Sequence, residues 1–245
     1  MSLLESEHYP EPSLATQWSL VLGIKDGSEK DRAFALEELC KRYWLPVYSF
    51  IRRQGHNHTD AQDHTQSFFA SMLNREAFQQ ADKERGRFRT FLFSCLQNHL
   101  RQDWRSKQAL RRNQGESLLS LDFDEGRKYY EAESDDSVLT PDQAWDRKWI
   151  HSVIQRVMEH LKEEFQATDR LPLFQALKPF LTTDKGEVSY QEIADQLDMG
   201  VNSVRSAIFR LRQKYARTFR NEIAQTVGNE GEIDDEIQAL LASLG

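Results

Sequence analysis

VSYQEIADQLDMGVNSVRSAIFRLRQKY, residues 188–215, carries two helical periods on either side of a break. Tyr190, Ile193, Ala194 and Leu197 recur at i, i+3, i+4 and i+7; Met199-Gly200 interrupts; Val204, Ile208, Leu211 and Tyr215 resume at i, i+4, i+7 and i+11. The spacing predicts a short helix, a tight turn and a second helix, with Ala194 small where the two cross. The outer face of the second helix shows Asn202, Ser203, Arg205, Ser206, Arg210 and Arg212. Polar side chains at the front of a helix suit base edges in the major groove, and arginines behind them suit phosphates. Phe209 adds an apolar contact for a thymine methyl or a sugar. A plain packed hairpin has no use for such a row, so the expectation is a face that reads duplex DNA.

Charge supports this. The chain is acidic overall, with a net charge of −7, yet its signs are segregated. Residues 83–112 hold Lys83, Arg85, Arg87, Arg89, Arg101, Arg105, Lys107, Arg111 and Arg112 against Glu84 and Asp103. Residues 113–146 hold ten acids against Arg127 and Lys128. Residues 201–220 hold six bases and no acid, and residues 221–245 six acids and no base. Like charges repel along a helix, so two one-signed basic stretches are expected to meet phosphates.

Composition bounds the rest. A chain of 245 residues, at about 150 per domain, makes one large domain or two small ones. Eleven Gly and six Pro are few, which with 29% charged residues favours helices. No run approaches the roughly 18 apolar residues that span a bilayer. MSLLESEHYPEP has no basic cluster before an apolar run, so no signal peptide is expected. Cys40 and Cys95 each sit in an apolar helical pattern, as buried hydrophobes in a reducing, cytoplasmic setting.

Further helices follow from period. AFALEELCKRYWLPVYSFIRRQ, residues 33–54, predicts one helix that Pro46 kinks or divides and Gly55 ends. Residues 56–74 start the next, with Thr59 or Asp60 as N-cap and Phe68, Phe69, Met72 and Leu73 on its apolar side. A third spans about 88–112, with Phe88, Phe91, Leu92, Cys95 and His99 inward. Residues 113–139 lose the period and read as an extended acidic linker. Thr140-Pro141-Asp142-Gln143 restarts helix with a capping box, and Trp149, Val153, Val157, Leu161 and Phe165 form its buried stripe. A short helix is expected around 174–180, and no alternating strand is found. The expected fold is all-α. Two helical domains, 33–112 and 145–225, are joined by the acidic linker 113–144 and flanked by an arm, 1–32, and an acidic amphipathic extension, 226–245.

The order of these features resembles a bacterial sigma factor of the extracytoplasmic-function type, in a long variant with a C-terminal extension. DAQDHTQSFF, residues 60–69, is similar to the helix that docks on the clamp helices of the polymerase β′ subunit, matching at Asp60, Asp63, Gln66 and Phe69. FRTFLFSCLQNHLRQDWRS, residues 88–106, resembles the helix that handles the minus-ten element, with Asn98, Asp103 and Arg105 at its polar positions. ADKERGRFR, residues 81–89, resembles the loop that captures a flipped base, which implies roles for Arg85 and Arg87. Asn98, Arg101 and Arg105 would line the melted strand and Trp104 would stack on it. NSVRSAIFRLR, residues 202–212, is similar to the helix that reads the minus-thirty-five element. Two departures stand out: Asp198 where a turn glycine is common, and Gly200 where an N-capping Ser or Thr is common. The lost cap weakens the turn by about 1 kcal/mol at most.

The resemblance implies an initiation factor with no covalent chemistry and no cofactor, whose partners are core RNA polymerase and promoter DNA. An anti-sigma factor is a further candidate partner. It also implies that residues 113–139 thread near the RNA path. Ile233, Ile237, Leu240, Leu241 and Leu244 make the tail an amphipathic helix, expected to fold back on a basic face, to dock on another protein or simply to end the fold. The competing reading is a helix-turn-helix regulator that does not engage polymerase; residues 60–69 discriminate, since a plain repressor has no need of that helix. His56, His58, Asp60, Asp63 and His64 crowd together but lack the specificity of a metal site. No phosphate loop, nucleophile elbow or catalytic carboxylate pair stands out, so no catalytic residue and no metal are expected.

Overall fold

The computed structural model describes residues 17–72, 87–107, 121–132, 139–182 and 189–244. These residues form α-helices with no strand among them: α1 Gln17–Asp26, α2 Glu29–Arg53, α3 His58–Met72, α4 Phe88–Lys107, α5 Phe123–Ala132, α6 Pro141–Ala167, α7 Leu171–Leu177, α8 Pro179–Thr182, α9 Tyr190–Gln196, α10 Val201–Ala224 and α11 Ile233–Ala242. The all-α expectation holds.

Helix α2 starts earlier than its apolar period suggests. Ser28 and Asp31 form a capping box, in which the Asp31 N–H donates to Ser28 Oγ at 3.3 Å and the Ser28 N–H to Asp31 Oδ2 at 3.0 Å. It ends at Gly55, whose φ of +91° suits a residue without Cβ. Pro46 does not divide it. Proline lacks the N–H that the Arg42 carbonyl would accept, and Arg156 of α6 supplies a substitute, donating from Nη1 to that carbonyl at 3.3 Å. The same guanidinium pairs with Glu222 of α10 at 3.1 Å and lies over the Tyr43 ring, 5.4 Å from its centroid. One arginine thus answers a vacancy in α2 while tying it to α6 and α10.

The described helices on either side of the expected linker are not packed apart from one another. Helix α6 inserts its tryptophans among α2 and α4, so one continuous buried set links both halves. Trp149 stacks on Tyr43 with centroids 4.5 Å apart, and Trp145 stacks on Phe93 at 5.2 Å while meeting Phe50 edge-on at 6.1 Å. The Thr140–Gln143 capping box forms as the sequence predicts. The arm contributes too: α1 buries Trp18, Leu20, Val21 and Ile24 against α2 and α4, with Trp18 edge-on to Phe88 at 5.8 Å.

The acidic linker is likewise not all extended. Residues 123–132 form α5, which lies on α2 through Phe123 against Trp44 and Tyr48. Gly126 permits the approach, since a Cβ there would sit 2.7 Å from the Trp44 ring. Tyr130 packs under Arg52, and Arg53 donates to the Leu139 carbonyl at 3.3 Å. Few apolar residues and no long period hid this helix; it forms because α2 presents an aromatic surface for it.

Lys148 is only 6% exposed. Burial and the charge of Arg53 push its ammonium pKa down to about 8. The folded protein therefore releases this proton at lower pH than the unfolded chain, so stability rises with pH between about 8 and the ordinary value of 10.5. Lys148→Met is expected to raise stability at pH 7 by on the order of 2 kcal/mol. The advantage should shrink as pH climbs to 10.5; thermal melts of both proteins at pH 7 and pH 10.5 check it.

Candidate nucleic-acid interface

The helix-turn-helix forms where its two periods place it. Ser189 caps α9, its hydroxyl accepting the Glu192 N–H at 3.5 Å. The chain turns by a bond from the Met199 N–H to the Ala194 carbonyl at 2.9 Å. Asp198 adopts φ +50°, the left-handed conformation that a glycine takes at less cost. Gly200 is the N-cap of α10 and offers no side chain to its free N–H groups. Val204, Ala207, Ile208 and Leu211 bury the inner face of α10.

Asn202, Ser203, Arg205, Ser206, Phe209 and Arg210 are all exposed on the opposite face. Phe209, 61% exposed, is a large apolar side chain left in water. Arg205 leans over the Tyr190 ring at 5.6 Å, which steadies it beside the front of the helix. Other cations of this stretch turn inward. Arg212 donates twice to the Phe180 carbonyl, at 3.2 and 2.9 Å, so it holds α8 instead of joining the outer row. Lys214 pairs with Glu164, and Arg220 with Asp234.

The second basic stretch is more occupied still. Arg85 lies outside the described residues. Arg87, at the start of α4, pairs with Glu236 of α11 at 2.9 Å. Arg89 is buried and takes Glu236 by two parallel bonds, Nε to Oε1 at 2.9 Å and Nη2 to Oε2 at 3.2 Å, while also pairing with Asp146 of α6. Burial opposes the Arg89 charge, but the bonds and charges of Glu236 and Asp146 outweigh it and hold the guanidinium pKa above its ordinary value. Asn98 and Arg101 are exposed and share a polar face of α4 with Thr90 and Ser94. Trp104 and Arg105 continue that helix; their side chains lie outside the described residues, as does that of Asp103. Phe91 is half-buried and Phe93 buried, both in the core.

On α3, Asp60 and Asp63 are exposed and Gln66 is half-buried. Phe69 is fully buried, so it supports this face from within and does not offer itself to a partner. The helix cap is Asn57, not Thr59 or Asp60: Asn57 Oδ1 accepts the Asp60 N–H at 2.9 Å, and its amide donates to Asp60 Oδ2 at 2.9 Å. The nearby histidines find ordinary partners. His58 Nδ1 lies 2.7 Å from the Tyr48 hydroxyl, and His56 and His64 meet edge to face at 4.5 Å. Among the described residues no group of three or more His, Cys, Asp and Glu side chains is placed to hold a metal ion. No described helix is long and apolar enough to cross a membrane.

Sequence reading missed the partners Glu236, Asp146 and Arg156. A signal existed for Glu236: it falls at i+3 from Ile233 and i−4 from Leu240, on the apolar stripe of its own helix.

Residues 39–110, from the middle of α2 to just beyond α4, match the family model for Sigma-70 region 2. No curated protein matches the chain, and no solved structure does.

The strained turn generates a test. Asp198→Gly should stabilise the protein by about 0.5–1 kcal/mol by relieving the left-handed residue, and Gly200→Ser by a few tenths through the added cap. Denaturant melts of each variant against the parent check both signs.

Proposed function

We propose that the protein is a sigma factor: it binds core RNA polymerase, directs it to promoters and takes part in strand opening. The Sigma-70 region 2 match over residues 39–110 carries this reading, because region 2 of sigma factors serves polymerase binding and promoter melting. The same chain presents six polar, cationic and aromatic side chains along the exposed face of α10, which supports a second, duplex-reading contact. A repressor acting through the helix-turn-helix alone leaves the region 2 segment without a use.

In mechanism, the exposed carboxylates Asp60 and Asp63 of α3 supply a docking face for the β′ clamp helices. Arg205 and Arg210 supply forked donors for guanine edges or phosphates of the minus-thirty-five element, and Phe209 an apolar contact. Asn202, Ser203 and Ser206 at the front of α10 supply short polar contacts to base edges. Asn98 and Arg101 on α4, with Arg85, Arg87, Trp104 and Arg105, are assigned to the melted minus-ten strand. Single strands bind through backbone cations plus surfaces for unstacked bases, and this set contains both kinds of group. The order of elements, the linker and the extension favour the extracytoplasmic-function type.

Binding to purified core polymerase, followed by run-off transcription from a candidate promoter, tests the proposal. The holoenzyme should start transcription where core alone does not. Asp60→Arg combined with Asp63→Arg should weaken core binding at least about tenfold while leaving duplex affinity unchanged. Arg205→Ala should cost on the order of 1–3 kcal/mol in promoter affinity at fixed salt if it pairs with a guanine edge. Unaltered affinity would remove Arg205 from the reading face.

A further inference from the structure

We infer that Tyr190 and Arg212 are positioning residues for duplex reading: Arg212 fixes Phe180, Phe180 supports Tyr190, and the Tyr190 ring holds the Arg205 guanidinium ready for a base edge. The inference rests on the reading of α10 as a face for duplex DNA and names what sets its specificity.

Arg205 and Arg212 start as equals. Seven residues apart on α10, they lie close to two turns from each other, about 10.5 Å, on nearly the same side of the helix. Packing gives them different tasks. Arg212 is half-buried and spends two donors on the Phe180 carbonyl, Nε at 3.2 Å and Nη2 at 2.9 Å. That carbonyl belongs to α8, a helix of 4 residues. The last four carbonyls of a helix lack partners within it, so Phe180 takes its partner from α10, and the fork of Arg212 fixes where α8 sits. The Phe180 ring then stacks on Tyr190, with centroids 5.3 Å apart and planes 18° from parallel. Tyr190 is the first residue of α9, and the Arg205 guanidinium lies over its ring at 5.6 Å. Two arginines of one helix thus bracket a pair of rings.

The kind of contact decides what Arg205 can do. An ion pair occupies the edge of a guanidinium, whose N–H groups are the ones that reach a base. Lys214 and Arg220 are engaged in that way by Glu164 and Asp234. A ring engages the flat face instead and leaves the N–H donors at the edge free. Among the described residues Arg205 has the Tyr190 ring and no carboxylate as partner. Ordering a long side chain is a cost that binding otherwise meets at the moment of contact; Tyr190 meets part of it beforehand. Arg210, exposed on the same helix, has no ring against it among the described residues. Specificity is therefore set at Arg205.

The test uses the full-length protein and a pool of thirty-base-pair duplexes with ten randomised central positions, the bound fraction being sequenced to give a preference at each position. Arg205→Ala should erase the preference at one position. Tyr190→Leu should weaken it at that same position about three- to tenfold and leave the others. Tyr190→Phe keeps the ring and should stay within about twofold of the parent. Arg212→Ala should weaken the same position with its salt slope unchanged, whereas a lost phosphate contact would flatten the slope by about 0.9. A loss spread evenly over all positions overturns the inference. So does a cooperatively melting Tyr190→Leu with the parent's profile, or a flattened slope for Arg212→Ala. If Tyr190→Leu does not fold, Phe180→Leu removes the ring that stacks on Tyr190; it should weaken the same position about two- to threefold, and no change overturns the inference. Duplex reading fails separately. An unaltered protein without sequence preference, or Arg205→Ala with the parent's profile, removes the reading face and the inference with it. Arg205→Ala losing its position while Tyr190→Leu and Phe180→Leu keep it removes the inference alone.

Discussion

A buried guanidinium needs carboxylates, and Arg89 obtains them from two distant places in the chain. Glu236 arrives from α11 and Asp146 from α6, and both reach the first turn of α4. Leaving either partner out would strand charge in an apolar surround at a cost of several kcal/mol. The cluster therefore sets the relative position of three helices more sharply than apolar packing would, because hydrocarbon contacts tolerate small slides and a two-bond fork does not. It also explains why the charge of the tail is not simply a solvated end.

Arg156 performs a parallel task on the other side of α6. Its bond to the Arg42 carbonyl answers the gap left by Pro46, and its ion pair with Glu222 brings in α10. Together with the Tyr43–Trp149 stack, this makes α6 the spine against which both α2 and α10 are placed. The inner face of α10 is held by Val204, Ile208 and Leu211, and its outer face is left to water.

The segregated charge has a double meaning. Arg205, Arg210, Asn98 and Arg101 stay exposed. Arg87, Arg89, Arg220, Lys214 and Arg212 instead meet carboxylates or carbonyls of the chain itself. A basic stretch followed by an acidic one can bind nucleic acid, or it can bind its neighbour. Here the acidic tail does the second.

The sequence by itself determined the local elements whose causes are local. The two periods of the helix-turn-helix, the Thr140 capping box, the Gly55 stop and the exposed row from Asn202 to Arg210 all follow from spacing and caps within a few residues. Whatever depended on a partner far along the chain was invisible. Helix α5 exists because Trp44 and Tyr48 offer it a surface, and Pro46 is tolerated because Arg156 is near. Which cations face water and which face Glu236 was decided only by tertiary packing. A one-dimensional charge pattern records sign and order, whereas pairing depends on distances that only the folded chain defines.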